Sequence, residues 1–221
     1  MIKATIKIIG ILVLGALGAA IFEYFAFPYF LAERGKITVN KTEQVYIQEN
    51  VALEHAAKNV QKSVVGIEKN GITIGSGLII TSDGSVITLA SLVSSGIKII
   101  LNREYATYKI VKKDLKNNLA LIKIEAKDLP TVGFADFDKL MLVQRVFLLG
   151  ILSAKTGNAF VNEGIIRVID KPIKTNIYEK NIAAGAPLFN ISGELMGLSF
   201  IDQDGKISAI PSDIIKTFLG I

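Results

Sequence analysis

The chain contains no cysteine and no tryptophan, and His55 is the only histidine among its 221 residues. Without cysteine it can form no disulfide, no cysteine-ligated zinc site and no thiol nucleophile. One histidine cannot build a histidine-rich metal site, so we predict neither a metal nor a cofactor. His55 has no acidic or nucleophilic motif beside it, which indicates a solvated helix residue rather than a catalytic base.

The chain also has little excess of either charge, because it contains 25 basic and 20 acidic residues and its net charge is only +5. The one basic cluster comprises Lys109, Lys112, Lys113 and Lys116. We interpret this cluster as the solvated face of a hairpin rather than as a site for anionic lipid, and we predict no nucleic-acid partner. Half of the residues are hydrophobic, which is enough for one domain with a real core and an appendage.

The first 32 residues form a segment unlike the rest of the chain. Residues 8–22 are an unbroken apolar run, preceded by Lys3 and Lys7 and followed by a stretch rich in Tyr and Phe. This order predicts a signal anchor with one transmembrane helix and an interfacial segment over residues 1–32, with the amino end in the cytoplasm. A signal peptide cleaved near residues 18–20 is the alternative. Either interpretation makes the membrane a partner and places the folded domain outside the cytoplasm.

Residues 33–49 are polar and unpatterned, which predicts a tether, and a helix is expected from Asn50. From Ser63 onward, about eleven short β-branched runs alternate with turn signals. No helical pattern separates them, so we predict a mainly β domain built as antiparallel barrels or a sandwich. Residues 127–140 interrupt the strands, and Pro211 suits the first turn of a closing helix over residues 211–219.

Five segments carry a family resemblance, and they are GSGLIITSDGSVITLASLV (75–93), NNLALIKIEAKDLP (117–130), NEGIIRVI (162–169), IKTNIYEKNIAAGAPLFNISGELMGLSF (173–200) and SAIPSDIIKTFL (208–219). In sequence and spacing they resemble the protease domain of the HtrA/Deg (DegP-like) trypsin-like serine proteases. The resemblance implies a trypsin/chymotrypsin-like double antiparallel β-barrel over residues 50–221. Barrel one is expected at about 63–126, barrel two at about 141–210, and the active-site cleft between them. Relatives usually append PDZ domains, and we expect none here.

The resemblance assigns the catalytic positions one residue at a time. Ser91 stands where the family has the histidine that acts as general base, and Asn118 stands where it has the aspartate that orients this base. Ala184 replaces the nucleophilic serine, and Ile182 replaces the glycine of the oxyanion loop. A methyl group cannot attack a carbonyl, and a neutral amide cannot stabilise an imidazolium. The triad positions are therefore degenerate.

These substitutions predict that the chain is not an enzyme but a membrane-anchored pseudoprotease that binds, scaffolds or regulates. The cleft of such a fold binds extended peptides by β-addition, for which no triad is needed. Ala183, Gly185 and Ala186 are the candidate residues for contacting a peptide or protein partner. The resemblance also implies a homo-oligomer, because relatives often trimerise through the amino-terminal part of this domain.

Two other functions stay open at this stage. A residual or unconventional serine endopeptidase would need another nucleophile, for which Ser91, Ser94, Ser95 and the nearby Lys180 are the candidates. A structural envelope protein with a collapsed, unused cleft is the third option.

Overall fold

The computed structural model describes residues 2–26, 39–153 and 155–221. The chain divides into two compact units, Met1–Gln48 and Glu49–Ile221. In the first unit, helix α1 (Ile2–Ile21) is followed by a turn of π-helix over Phe22–Ala26. Leu and Ile dominate α1, and the large apolar side chains of its later turns are exposed, with Leu14 at 73%.

The sequence predicts that the first helix crosses a membrane, and the structure does not bear this out. Within residues 2–26, 39–153 and 155–221, no helix combines the length and the apolar character that a crossing requires. The uncharged run of residues 8–22 extends about 22 Å at 1.5 Å per residue, whereas a hydrocarbon core is about 30 Å thick. The rest of the predicted interfacial segment, residues 27–32, lies outside the described residues.

Helix α2 (Val39–Val60) begins earlier than the sequence predicts. The sequence predicts a start at Asn50, but residues 39–49, which were predicted to belong to the tether, are helical too. The rest of the predicted tether, residues 33–38, lies outside the described residues. Glu43, Gln44, Gln48 and Glu49 have high helix propensity, and no Gly or Pro interrupts them. A turn of 3-10 helix over Gln61–Ser63 then leads into the first strand.

The first half of the β domain is an antiparallel sheet of seven strands, all within the described residues, in the order β5-β4-β1-β2-β3-β7-β6. The strands are β1 (Val64–Lys69), β2 (Ile72–Ile79), β3 (Ser85–Leu89), β4 (Ile97–Leu101), β5 (Glu104–Ala106), β6 (Tyr108–Asp114) and β7 (Leu119–Ile124). A closed first barrel was expected, but β5 and β6 do not pair with each other. Strand β5 is short and β6 is rich in lysine, two features that keep sheet edges unpaired.

The second half is a closed barrel in the order β10-β13-β12-β11-β8-β9. Its strands are β8 (Arg145–Ser153), β9 (Asn158–Val168), β10 (Ile173–Tyr178), β11 (Pro187–Asn190), β12 (Leu195–Ile201) and β13 (Lys206–Pro211). Helix α3 (Ser212–Leu219) closes the chain, and Gly220 ends it in the left-handed region with φ +81°. The prediction of a mainly β fold with two β halves and a closing helix is confirmed.

One hydrophobic cluster includes residues of both halves, and a second cluster fills the interior of the barrel. Ile67 of the first sheet and Phe147 and Phe189 of the barrel are fully buried in the same cluster. The two phenylalanine rings lie 5.3 Å apart, centroid to centroid. A polar bond accompanies this packing, since the Ile151 N–H of β8 donates to Ser76 Oγ of β2 at 2.9 Å.

The basic cluster is more than the solvated face that the sequence suggests. Its four lysines are exposed, but two of them also bind backbone carbonyls across the fold. Lys112 Nζ donates to the Phe218 carbonyl at 2.8 Å, near the carboxyl end of α3, and Lys113 Nζ donates to the Val93 carbonyl. A cation at a helix carboxyl terminus also interacts favourably with the helix dipole.

Candidate active site

A short turn after β3 carries Ser91, the residue predicted to stand at the general-base position. The turn is a 3-10 helix over Ala90–Leu92, and Ser91 is exposed at its centre. Two successive amides of this turn bind one residue, because the Ala90 N–H donates to the Asn118 carbonyl at 3.0 Å and the Ser91 N–H donates to Asn118 Oδ1 at 2.9 Å. The structure therefore brings two of the predicted site residues together.

The loop before β7 places Asn118 in this position. Its φ of +54° lies in the left-handed region, which asparagine tolerates better than most residues. Just upstream, the Asp114 carboxylate accepts hydrogen bonds from the Lys116 N–H at 2.9 Å and from Asn117 Nδ2 at 2.6 Å. The bond from the Asn117 side chain is the main reason why the pKa of Asp114 is lowered from 3.8. The loop is thus fixed by a carboxylate that stays ionised near neutral pH.

The loop that carries Ala184 lies between β10 and β11 and docks on the first sheet. The Ala184 carbonyl accepts a hydrogen bond from the Ser76 N–H at 3.0 Å. A Cβ on Gly75 would lie 2.5 Å from that carbonyl oxygen and 2.7 Å from Leu92 Cδ1. Gly185, at φ +71°, leaves equally little room, since its Cβ would lie 2.9 Å from the same Leu92 atom. Leu92 of the Ser91 turn therefore contacts the Ala184 loop.

Two buried hydroxyl residues, Ser199 and Thr88, support this loop and the strand beside it, and the sequence analysis identified neither. The backbone carbonyl of Ser199 in β12 accepts a hydrogen bond from the Gly185 N–H at 2.8 Å, and the Ser199 N–H donates to the Ala186 carbonyl at 2.9 Å. The Ser199 hydroxyl donates to the Ala183 carbonyl. Thr88 Oγ1 donates to the Ser76 carbonyl at 2.7 Å. A small hydroxyl residue inside an otherwise apolar strand was the available signal.

The backbone N–H groups of Ala183 and Ala184 are already bound within the loop. Asn181–Ala183 form a 3-10 turn, in which the Ala183 N–H donates to the Lys180 carbonyl at 2.9 Å and the Ala184 N–H donates to the Asn181 carbonyl at 3.0 Å. An oxyanion hole needs N–H donors aimed at the reacting oxygen. In this conformation the Ala184 N–H is not available for that purpose. Ile182 is half-buried in the same turn.

The residues predicted to contact a peptide are not accessible. Ala183 and Ala186 have no exposed surface and belong to the core of the barrel, and Gly185 is also buried. The structure thus differs from the expectation of a contact surface there. The reason is that the small side chains of Ala183 and Ala186 fill the barrel interior, while Gly185 lies against the first sheet.

The edge of β12 is unpaired beyond this loop. The β11–β12 pairing ends at Pro187 and Leu198, and the loop then binds both backbone groups of Ser199. Because backbone groups alternate sides along an antiparallel strand, the N–H and C=O of Ile201 face the same edge as those of Ser199. No described residue binds them there.

A cavity of about 270 Å³ is lined both by Asn118 and by the end of β12. Phe200, Ile210 and Ile214 form much of its apolar wall. At its rim, Lys171 Nζ lies 2.5 Å from Asp213 Oδ2, and this partner raises the pKa of Lys171 above 10.5. The cavity is thus mainly apolar, and Asp213 balances the charge of Lys171.

The other predicted nucleophile candidates lie on the surface. Ser94 Oγ accepts a hydrogen bond from Lys69 Nζ at 2.9 Å. Ser95 and Lys180 are exposed. Since Lys69 is the donor, it orients the Ser94 hydroxyl in this arrangement rather than taking its proton.

A family model described as "Trypsin-like peptidase domain" matches residues 75–198, which include Ser91, Asn118 and Ala184. The chain belongs to this family. The relatives agree with the DegP-like resemblance seen in the sequence. A "Probable periplasmic serine endoprotease DegP-like" of Pseudomonas fulva (strain 12-X) is 31% identical over 149 residues, 61% of this chain and 30% of the relative.

Two further relatives carry the same description. The protein of Pseudomonas putida (strain W619) is 31% identical over 168 residues, 66% of this chain and 34% of the relative. The protein of Marinomonas sp. (strain MWYL1) is 36% identical over 143 residues, 58% of this chain and 29% of the relative. The chain therefore spans about a third of the length of these relatives. The prediction of a DegP-like trypsin-like domain is confirmed.

The prediction that the chain is not an enzyme is corrected by these comparisons. The matched family is a peptidase family, and the relatives are described as serine endoproteases, which points to an enzyme. Substitutions at Ser91, Asn118 and Ala184 speak against the serine–histidine–aspartate mechanism only. They do not exclude catalysis by a hydroxyl group elsewhere in the same domain.

The bond between Ser91 and Asn118 can be tested through stability. Asn118→Ala removes the acceptor of the Ser91 N–H and places alanine in the left-handed region, so we expect a loss of about 2 kcal/mol in the free energy of unfolding. Asn70→Ala is the matched control, because Asn70 has a similar φ of +53° and no such bond. Urea denaturation should show a loss of about 1 kcal/mol in the free energy of unfolding for this control. Equal losses in the two variants would contradict a stabilising bond.

Proposed function

We propose that this trypsin-like domain binds an extended peptide segment of a partner protein along the free edge of β12. The observation that carries the proposal is the unpaired backbone of Ile201, next to the loop that carries Ala184. A free N–H and C=O on one strand edge are what an added strand uses. Such binding requires no nucleophile, and it is compatible with the substitutions at the triad positions.

The cavity beside Asn118 supports the same proposal and indicates a preference. Side chains of an added strand alternate between its two faces, so some of them would point toward the wall formed by Phe200. The volume of about 270 Å³ and the apolar lining suit an aliphatic or aromatic side chain. The preferred segment is therefore extended and carries an apolar residue that reaches this cavity.

Peptide capture tests the proposal on the full chain. Ile201→Pro removes the edge N–H, and it leaves the β12–β13 ladder intact because Ile201 and Ile207 form a pair without hydrogen bonds. We expect this variant to bind fluorescein-labelled casein peptides about tenfold more weakly by fluorescence anisotropy. Phe200→Ala should weaken binding of peptides with large apolar residues most strongly.

Gln203→Pro is the matched control for Ile201→Pro. Gln203 lies two residues further on, at the second position of a turn closed by the Gly205 N–H and the Asp202 carbonyl at 3.1 Å. Proline is favoured at that position, so the fold should be unaffected. Equal loss of binding in both proline variants, or none in either, would contradict peptide addition at β12.

Hydrolysis of the bound peptide is the second candidate function. It is favoured by the description of the relatives as serine endoproteases and by their shared peptidase family. The exposed hydroxyls of Ser91 and Ser94 are the candidates for a nucleophile, and Lys69 orients the second of these. Such an enzyme would act without the family's serine at position 184.

A serine-directed fluorophosphonate probe tests the second candidate. If the chain hydrolyses peptides, the probe should label the unaltered chain, and Ser94→Ala or Ser91→Ala should abolish both the label and casein cleavage. A variant carrying Ser91→His, Asn118→Asp, Ala184→Ser and Ile182→Gly serves as a reference for the family's own mechanism. Absence of label and of casein fragments in the unaltered chain would rule out hydrolysis by these serines.

The location and the state of assembly of the protein belong to the proposal as well. We propose that the β domain acts outside the cytoplasm and that α1 attaches the chain to a membrane. The description of the relatives as periplasmic supports the first part, and the exposed Ile11 and Leu14 of α1 support the second. Homo-oligomerisation, implied by the resemblance, stays a prediction.

Extraction of membranes with alkaline carbonate tests the role of α1. We expect the unaltered chain to stay in the membrane pellet, and Ile11→Lys with Leu14→Lys to release it, because charges in an apolar surface weaken partition into lipid. Ile72→Lys with Leu115→Lys is the matched control, since both residues are exposed and apolar, at 68% and 81%. Equal release of both double variants would refute attachment through α1.

A further inference from the structure

A second and larger cavity lies on another part of the β domain, with a volume of about 500 Å³. It is formed where the end of α2 meets β1, the β4–β5 turn, β8 and the β8–β9 turn. Its floor is apolar and includes Val64, Ile100 and Ile151. Its rim is polar, and it shares no residue with the Ser91, Asn118 and Ala184 site.

Three cations line this rim, namely Lys58, Lys62 and Arg103. No carboxylate is among the lining residues. Within residues 2–26, 39–153 and 155–221, none of the three cations forms an ion pair. The side chains of Gln61 and Asn102 add neutral hydrogen-bond donors at the same rim. The cavity therefore concentrates positive charge that the described protein does not neutralise.

Arg103 is the most informative of the three residues because its backbone is strained. Asn102 and Arg103 form a two-residue hairpin turn with φ of +50° and +73°. The second position of such a turn strongly prefers glycine, so arginine there costs free energy. Lysines in the last turn of a helix need no further explanation, since they complement its dipole. A strained arginine does need one.

The β8–β9 turn leaves room for this arginine. Gly157, at φ +70°, has no side chain, and a Cβ there would lie 2.8 Å from Arg103 Nε and 3.0 Å from Arg103 Cγ. The arginine stem thus lies across the backbone of Gly157, and both residues line the cavity. The strained backbone of Arg103 and the missing side chain of Gly157 together place the arginine stem at a cavity that Lys58 and Lys62 also line.

We propose that this cavity binds the phosphate group of an organic ligand. A guanidinium matches phosphate through paired hydrogen bonds, and the two lysines add positive charge to the same cavity. The volume exceeds what a lone inorganic anion would fill, and the apolar floor suits the organic part of the ligand. A soluble phosphorylated compound and a phospholipid headgroup present the same chemistry.

Titration of the detergent-solubilised full chain with pyrophosphate tests the proposal by calorimetry. We expect Arg103→Ala to weaken binding at least tenfold and Arg103→Lys to weaken it less, because lysine keeps the charge and loses the paired bonds. Gly157→Ala should also weaken binding, since its methyl group displaces the arginine stem. Arg167→Ala is the matched control, because Arg167 is exposed on β9 and lies outside the cavity.

Absence of pyrophosphate binding to the unaltered chain, or an equal loss in the Arg103→Ala and Arg167→Ala variants, would overturn the proposal. A measurement on the unaltered chain covers the case in which a variant fails to fold. Pyrophosphate should shift the backbone amide resonances of Asn102 and Gly157, and shifts confined to other regions would overturn the proposal too.

Vesicles distinguish the two sources of phosphate. If the ligand is a lipid headgroup, vesicles with phosphatidylglycerol should displace pyrophosphate from the unaltered chain, and phosphatidylcholine vesicles should not. If the ligand is soluble, glycerol phosphate should displace it and neither type of vesicle should. Both results support a phosphate site and name its ligand class, whereas failure of every competitor would overturn the proposal.

Discussion

The hydrogen bond from the Ser76 N–H to the Ala184 carbonyl is the contact on which the site depends. It joins the loop between β10 and β11 to the first sheet, and it requires a very close approach of two backbones. Gly75 and Gly185 permit that approach because a Cβ on either would collide with its neighbours. Ser199 and Thr88 then hold the loop and the strand from opposite sides. The geometry of the site is thus set mainly by backbone groups and small residues.

Because backbone groups and small residues set this geometry, the site keeps its shape without the side chains that the family has at positions 91, 118 and 184. Asn118 binds the Ser91 turn through its carbonyl and its amide oxygen, and neither bond requires a histidine at position 91. The loop around Ile182 forms a right-handed turn that satisfies its own amides, a conformation that a β-branched residue tolerates. The open edge of β12 belongs to this frame, and the proposed peptide binding would use the frame rather than the triad positions.

Much of this could be predicted from the sequence, and the failures have identifiable causes. Strand runs, turn signals and the family resemblance were sufficient for the two β halves and for the DegP-like domain, whereas the roles assigned to Ser91, Asn118 and Ala184 stay predictions. The open first sheet was missed because strand pairing between β5 and β6 depends on tertiary geometry and not on local pattern. The burial of Ala183 and Ala186 was missed because alanine suits both a core and a surface. The edge at Ile201 depends on where β11 ends, a relation between strands that no local motif records.

The common core of the two halves has a mechanical consequence. Ile67 belongs to the same buried cluster as Phe147 and Phe189, so neither half can leave the other without exposing large apolar side chains to water. The segment between β7 and β8 is consequently a covalent link and not a hinge. A single proteolytic cut there should leave a nicked but associated pair of fragments, as in proteins whose halves reassemble from separate chains.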